Sequence, residues 1–193
     1  MRSRAAPLYR ALVSALSGIC LLAAAGASIP ASAQDDTLAA QRRIEAAYLY
    51  KFGGYITWPA EAFPGPDSPF IIGVAGDDAM ADELETLVAG RSMNGRAVVV
   101  KRIHAGQSIA GIHIMFVAAG TAQGETLIAA AHDISTVAVT EGDDGLERGA
   151  GFSFVLVNDR VRFDVALDAA QTGGVKVSSQ LLSVADKVTG VKP

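Results

Sequence analysis

Cysteine is almost absent from this chain: of 193 residues, Cys20 is the single one. It lies in a segment that reads as an export signal, so the folded product is expected to have no disulfide, thiol nucleophile or thiolate metal site. Histidine is nearly as scarce. His104, His113 and His132 share no metal-binding spacing such as H-E-x-x-H. A nucleophile elbow of the form G-x-S-x-G is missing too, as is a phosphate loop of the form G-x-x-x-x-G-K-[ST] beyond residue 33. Basic charge is also short, with 16 Lys and Arg against 20 Asp and Glu. That balance argues against nucleic acid as a partner, because a nucleic-acid binder normally shows a basic patch. The apolar run over residues 11–25 is broken by Ser14, Ser17 and Gly18, and it is short for a bilayer span.

What that first segment does show is the layout of an exported precursor. Arg2, Arg4 and Arg10 precede the apolar run, and Ala31-Ser32-Ala33 is a small-x-small cleavage site. Residues 1–33 are expected to be a signal peptide and residues 34–193 the exported, folded product. Without the three early arginines, 13 basic residues face 20 acidic ones, a net charge near −7. The remaining length suits one domain with a core it can fill unaided.

Along that domain the hydrophobic pattern alternates between helix and strand. A helix is expected from Leu38, with Ile44, Tyr48, Phe52 and Tyr55 on one stripe and Arg42, Arg43 and Glu45 away from it. Gly53-Gly54 predicts a kink or an early end, and Trp58-Pro59 closes the element. Apolar runs at residues 70–75, 97–103, 112–118 and 136–140 read as strands, with helices between them at 79–89 and 122–131. Residues 152–157 and 161–165, joined by Asn158-Asp159-Arg160, read as a hairpin. Short helices are expected at 167–171 and 178–188. The pattern defines one α/β domain: a mostly parallel sheet flanked by helices on both faces, with a C-terminal antiparallel hairpin at its edge.

Two places could bind something. Asp77 and Asp78 follow a strand in a turn that reads first as a helix cap. Glu141, Asp143 and Asp144 read first as a solvated loop beyond a strand end. They lack the spacing of a calcium loop. Strand ends of open α/β sheets are nevertheless common ligand sites, so these five acids make the candidate small-ligand loops. Tyr55 and Trp58, beyond the Gly-Gly pair, are the candidate partner-binding residues, and Trp58→Ala is expected to weaken partner binding more than folding. His113, in the most apolar strand, reads as a core histidine. No residue is assigned a catalytic, cofactor or metal role.

Ordered pieces across residues 40–188 carry a resemblance. They are Ala46-Ala47-Tyr48-Leu49-Tyr50-Lys51-Phe52, Ile56-Thr57-Trp58-Pro59, Phe70-Ile71-Ile72-Gly73-Val74, Asn94-Gly95-Arg96 and His113-Ile114-Met115-Phe116-Val117. Then come Phe152-Ser153-Phe154-Val155, Val161-Arg162-Phe163-Asp164-Val165 and Ser178-Ser179-Gln180-Leu181-Leu182. In this order they resemble the YfiR family of exported bacterial proteins. The resemblance implies a non-catalytic periplasmic repressor of an inner-membrane diguanylate cyclase, lowering cyclic-di-GMP and biofilm formation. It also implies sequestration by an outer-membrane lipoprotein and a capacity to form homodimers. Relatives often carry a cysteine near the position of His113, so redox control is not expected here. Gly53-Gly54 and Ala166 also depart from the family pattern. The alternative reading is a periplasmic small-ligand sensor that reports to a membrane protein.

Overall fold

Helix α1 (Ala31–Tyr55) opens the part of the chain that the computed structural model describes, residues 31–190, with side chains from Asp35 onward. The expected signal peptide lies outside the described residues up to position 30. The unit that carries the fold begins at Thr37, within α1. Among the described residues no helix is long and apolar enough to cross a membrane.

The buried face of α1 is rotated from the expected stripe. Ala46, Leu49 and Phe52 are sealed, whereas Ile44 and Tyr55 stand exposed and Tyr48 sits at the margin. Small residues decide this. Gly53 is buried, and a Cβ there would lie 3.0 Å from the Met93 side chain and 3.1 Å from the Phe70 ring. The helix therefore runs unbroken through Gly53-Gly54 to Tyr55, because Gly53 lets it lie close against the sheet. Gly54 is different: it is exposed, and an added methyl would meet only Met93 Sδ, at 3.8 Å. Gly54→Ala is expected to stabilise the protein by about 0.5–1 kcal/mol through helix propensity, read as a higher midpoint in thermal unfolding.

After α1 come β1 (Ile56–Thr57), β2 (Phe70–Ala75), α2 (Asp78–Val88), β3 (Ser92–Met93), β4 (Arg96–Arg102) and β5 (Ile114–Val117). Next are α3 (Gly124–His132), β6 (Val137–Glu141), β7 (Phe152–Val157) and β8 (Arg160–Ala166). The chain continues with α4 (Leu167–Ala170), β9 (Lys176–Val177), α5 (Ser179–Leu182) and β10 (Lys187–Thr189). Eight strands form one sheet in the order β10-β8-β7-β6-β5-β2-β4-β3. Strands β4, β2, β5, β6 and β7 run parallel, and β3 and β8 pair antiparallel with their neighbours.

Alternation along the strands builds two cores. Phe70, Ile72 and Val74 of β2, Ile114 and Phe116 of β5, and Phe152 and Phe154 of β7 meet α1 and α2 on one face. Met115, Val117 and Ala138 meet Ile128 and Ala131 of α3 on the other. The sheet is mostly parallel with helices on both faces, as the pattern predicted.

The C-terminal end differs in detail. The hairpin β7–β8 turns through Asn158 and Asp159, both at positive φ, as a two-residue hairpin turn requires. One further strand, β10, is laid parallel outside it, with Val188 opposite Val165. The helix expected over 178–188 is only the single turn α5, because the free backbone edge of β8 captures residues 187–189. Strand β9 pairs antiparallel with β1 to form a separate two-stranded sheet.

Candidate functional site

The connection after β2, through α2, leads to β4 on one side of β2. The connection after β5, through α3, leads to β6 on the other side. Such a reversal opens a crevice at the carboxyl ends of the strands, where open α/β sheets hold ligands. Gly76 turns the chain there at φ +85°, and a Cβ on it would fall 2.0 Å from Thr121 Oγ1. Asp77 then caps α2: its Oδ1 accepts from the Met80 N–H at 3.0 Å, and its Oδ2 accepts from Arg42 Nε at 2.9 Å. Across the crevice, at the end of β6, Glu141 Oε1 accepts from the Ala119 N–H at 3.0 Å.

Between them sits a residue that sequence reasoning missed. Glu45 of α1 is 3% exposed, on the buried side of the helix and not on the solvated side expected for it. Gln41, one turn earlier, donates from Nε2 to Glu45 Oε1 at 2.9 Å. Burial raises the Glu45 pKa to about 7; the Gln41 hydrogen bond opposes this, the Glu141 charge adds to it, and Arg42 and Asp77 act in opposite senses. Together with Gln41, Glu141, Asp143 and the Phe154–Leu156 segment, Glu45 lines an open crevice of about 340 Å³. The overlooked clue was spacing: Glu45 lies four residues before Leu49, on the face that Ala46, Leu49 and Phe52 bury.

Two of the five predicted acids stand elsewhere. Asp78 is 83% exposed and pairs with Arg102, which also contacts Asp82 and Glu85. Asp144 pairs with Arg148 at 3.3 Å, and Arg148 donates to the Glu141 carbonyl at 2.8 Å. Glu141 and Asp143 thus line the crevice with Glu45, and Asp77 acts on Glu45 through its charge; Asp78 and Asp144 do neither. Among the described residues no group of three His, Cys, Asp or Glu could hold a metal ion.

The aromatic pair expected at a partner surface is split. Tyr55 is 40% exposed, but Trp58 is only 8% exposed, its ring edge-on to Phe70 at 5.0 Å and to His113 at 5.9 Å. Trp58 is therefore a core residue and not a surface anchor. It is held inside by the loop that follows it, whose Phe63 stacks on His113 at 4.4 Å. Arg96 fastens that loop, donating from Nη1 to the carbonyls of Gly65, Pro66 and Ser68 with its guanidinium 3.9 Å from the Phe63 ring centre. His113 lies between Phe63 and Phe70, and its Nδ1 accepts from the Ile71 N–H at 3.0 Å. Burial lowers its pKa to about 4, with weaker opposition from the Ala62 backbone and a further lowering from the Arg96 charge.

Glu45 and His113 act oppositely on stability. The unfolded Glu45 carboxyl loses its proton near pH 4.5 and the folded one near pH 7, so its contribution falls as pH rises through that window. Unfolded His113 takes up a proton below about pH 6.5 and the folded ring only near pH 4, so its contribution rises with pH over that span. Each amounts to about 3 kcal/mol and they offset one another. Glu45→Gln is expected to remove the falling limb. Relative to the parent, the variant should gain up to about 3 kcal/mol between about pH 4.5 and 7, measured as urea midpoints across that range.

Fold and crevice define the class: a doubly wound α/β domain with an acidic, partly apolar crevice at its strand ends. The chain belongs to the YfiR/HmsC-like family, whose family model matches residues 42–186. The matched span reaches from Arg42 to Asp186 before β10, and so covers the buried residues of both cores and every crevice-lining residue named above except Gln41. The family is one of regulators and not of catalysts. No curated protein matches the chain.

Proposed function

We propose that this protein is a non-catalytic periplasmic repressor that binds the periplasmic part of an inner-membrane diguanylate cyclase and lowers cyclic-di-GMP output. Family membership over residues 42–186 carries this reading. Residues 1–33 are the export signal in this scheme, removed after Ala33. An outer-membrane lipoprotein that sequesters the repressor would release the cyclase. A homodimer is compatible with the same scheme.

Deleting the gene should raise cyclic-di-GMP, and the tagged protein should co-purify with an inner-membrane diguanylate cyclase. Unchanged cyclic-di-GMP together with no captured membrane partner would sink the reading. Sequencing the N-terminus of the periplasmic form checks the export step, with Gln34 as the expected first residue. Tyr55, exposed where α1 ends, is the proposed partner anchor that remains after Trp58 is assigned to the core. Tyr55→Ala should lower cyclase capture about tenfold or more, an anchor-sized loss, while leaving the unfolding midpoint nearly unchanged. Undiminished capture would remove Tyr55 from the interface.

A further inference from the structure

The carboxylate of Glu45 is the least compensated buried charge in the crevice. Arg42, the nearest cation on its own helix, is taken by Asp77 at 2.9 Å, and among the described residues Glu45 makes no ion pair. Gln41 occupies Oε1, and among the described residues no hydrogen bond reaches Oε2. Oε2 is not fully enclosed, and Glu45 lines the crevice. A buried carboxylate in this position lacks a donor of opposite charge.

Glu141 strengthens the case. One of its oxygens takes the Ala119 N–H, which orients the carboxylate, and among the described residues no hydrogen bond occupies the other. Asp143 adds negative charge at the rim, and Phe154, Val155 and Leu156 supply an apolar wall. The volume of about 340 Å³ is within the range of small-molecule sites. Carboxylates set beside an apolar wall suit a cation whose charged end bears N–H donors and whose body is hydrocarbon. A bare divalent ion would leave that wall unused, and no metal-type cluster exists among the described residues.

We propose that this crevice binds a small organic cation, an alkylammonium or guanidinium group, with Glu45 and Glu141 accepting its N–H donors and the Phe154–Leu156 wall receiving its chain. The inference goes beyond repression and stands whether or not a cyclase is the partner. Binding draws on the ionised form of Glu45, so it releases a proton to solvent where Glu45 is protonated in the free protein. The charged and titratable groups acting on Glu45 are Arg42 on its own helix, Asp77 at the start of α2 and Glu141 at the end of β6.

Isothermal titration of the folded protein with agmatine and n-butylammonium, at fixed ionic strength and in two buffers of different ionisation heat, tests this. Saturable binding is expected, with proton release at about pH 6 that vanishes near pH 8. Glu45→Gln should weaken binding about tenfold or more and abolish the buffer dependence, and Glu141→Gln should weaken it less. Asp78→Asn, outside the crevice, should bind as the parent does. A cooperative unfolding transition for each variant shows that it is folded. The proposal is overturned by absence of saturable binding to the parent, by unchanged binding to Glu45→Gln, or by an equal loss in Asp78→Asn. Equal binding of n-butanol or calcium chloride would overturn it as well.

Discussion

Truncating Phe52 to alanine is expected to cost about 3–5 kcal/mol, a large share of the roughly 5–15 kcal/mol that holds a domain folded. Phe52 is fully buried where α1 crosses the C-terminal half of the sheet. Its ring lies 4.8 Å from Phe152, 5.0 Å from Phe163 and 6.0 Å from both Phe154 and Tyr48. These contacts join α1 to β7 and β8, and the close-packed rings around the position have little room to collapse into the space left. Urea unfolding should show a midpoint far below the parent's. Phe52→Leu, which keeps most of the volume, should cost less than half as much. If Phe52→Ala cost under about 1 kcal/mol, the aromatic cluster would not be the centre of the core.

Trp58→Ala is expected to be of similar size, about 3–5 kcal/mol, and this reverses the expectation drawn from sequence. The ring is enclosed by Phe70 and His113, so its loss leaves a cavity and loosens the stacked His113 and Phe63 beneath the Arg96-fastened loop. Trp58 Nε1 is buried without a hydrogen-bond partner. An unsatisfied buried donor is costly, so Trp58→Phe, which keeps an aromatic ring and deletes that donor, should cost only about 1 kcal/mol. Chemical denaturation of the two variants side by side checks the contrast. Near-parent stability for Trp58→Ala would return this residue to the surface.

The same two aromatics show which parts of the fold were legible. Strands β2, β5 and β6 are apolar runs covered on both faces, and β7 and β8 alternate around a two-residue turn. Those patterns are local, and the elements formed close to where they were expected. Strands β1, β3, β9 and β10 are two or three residues long, and each exists because a partner edge is present. Local propensity carries no trace of such an edge. The buried face of α1 was misplaced for a related reason. Ile44, Tyr48, Phe52 and Tyr55 make a plausible stripe, but Ala46 and Gly53 let the helix sit closer on a face that hydrophobicity alone ranks lower.

The crevice was half legible. Asp77 and Glu141 lie at strand ends, where an α/β sheet places its ligands, and the order of elements pointed to those ends. Glu45 was not legible, because a glutamate in a helix beside Arg42 and Arg43 reads as solvated. Its burial comes from long-range contacts: α1 lies over the sheet, and the end of β6 and the 154–156 segment of β7 complete the wall around it.

By itself, then, the sequence determined the α/β class, the family and the main strands and helices. Those depend on periodicity and on ordered motifs, which are properties of neighbouring residues. Only the tertiary structure decided that Trp58 is core, that β10 closes one edge, and that a glutamate from the first helix completes an acidic crevice. Burial and charge environment depend on what distant segments bring to a side chain, and residue 45 meets residues 119 and 141 only once the sheet has formed.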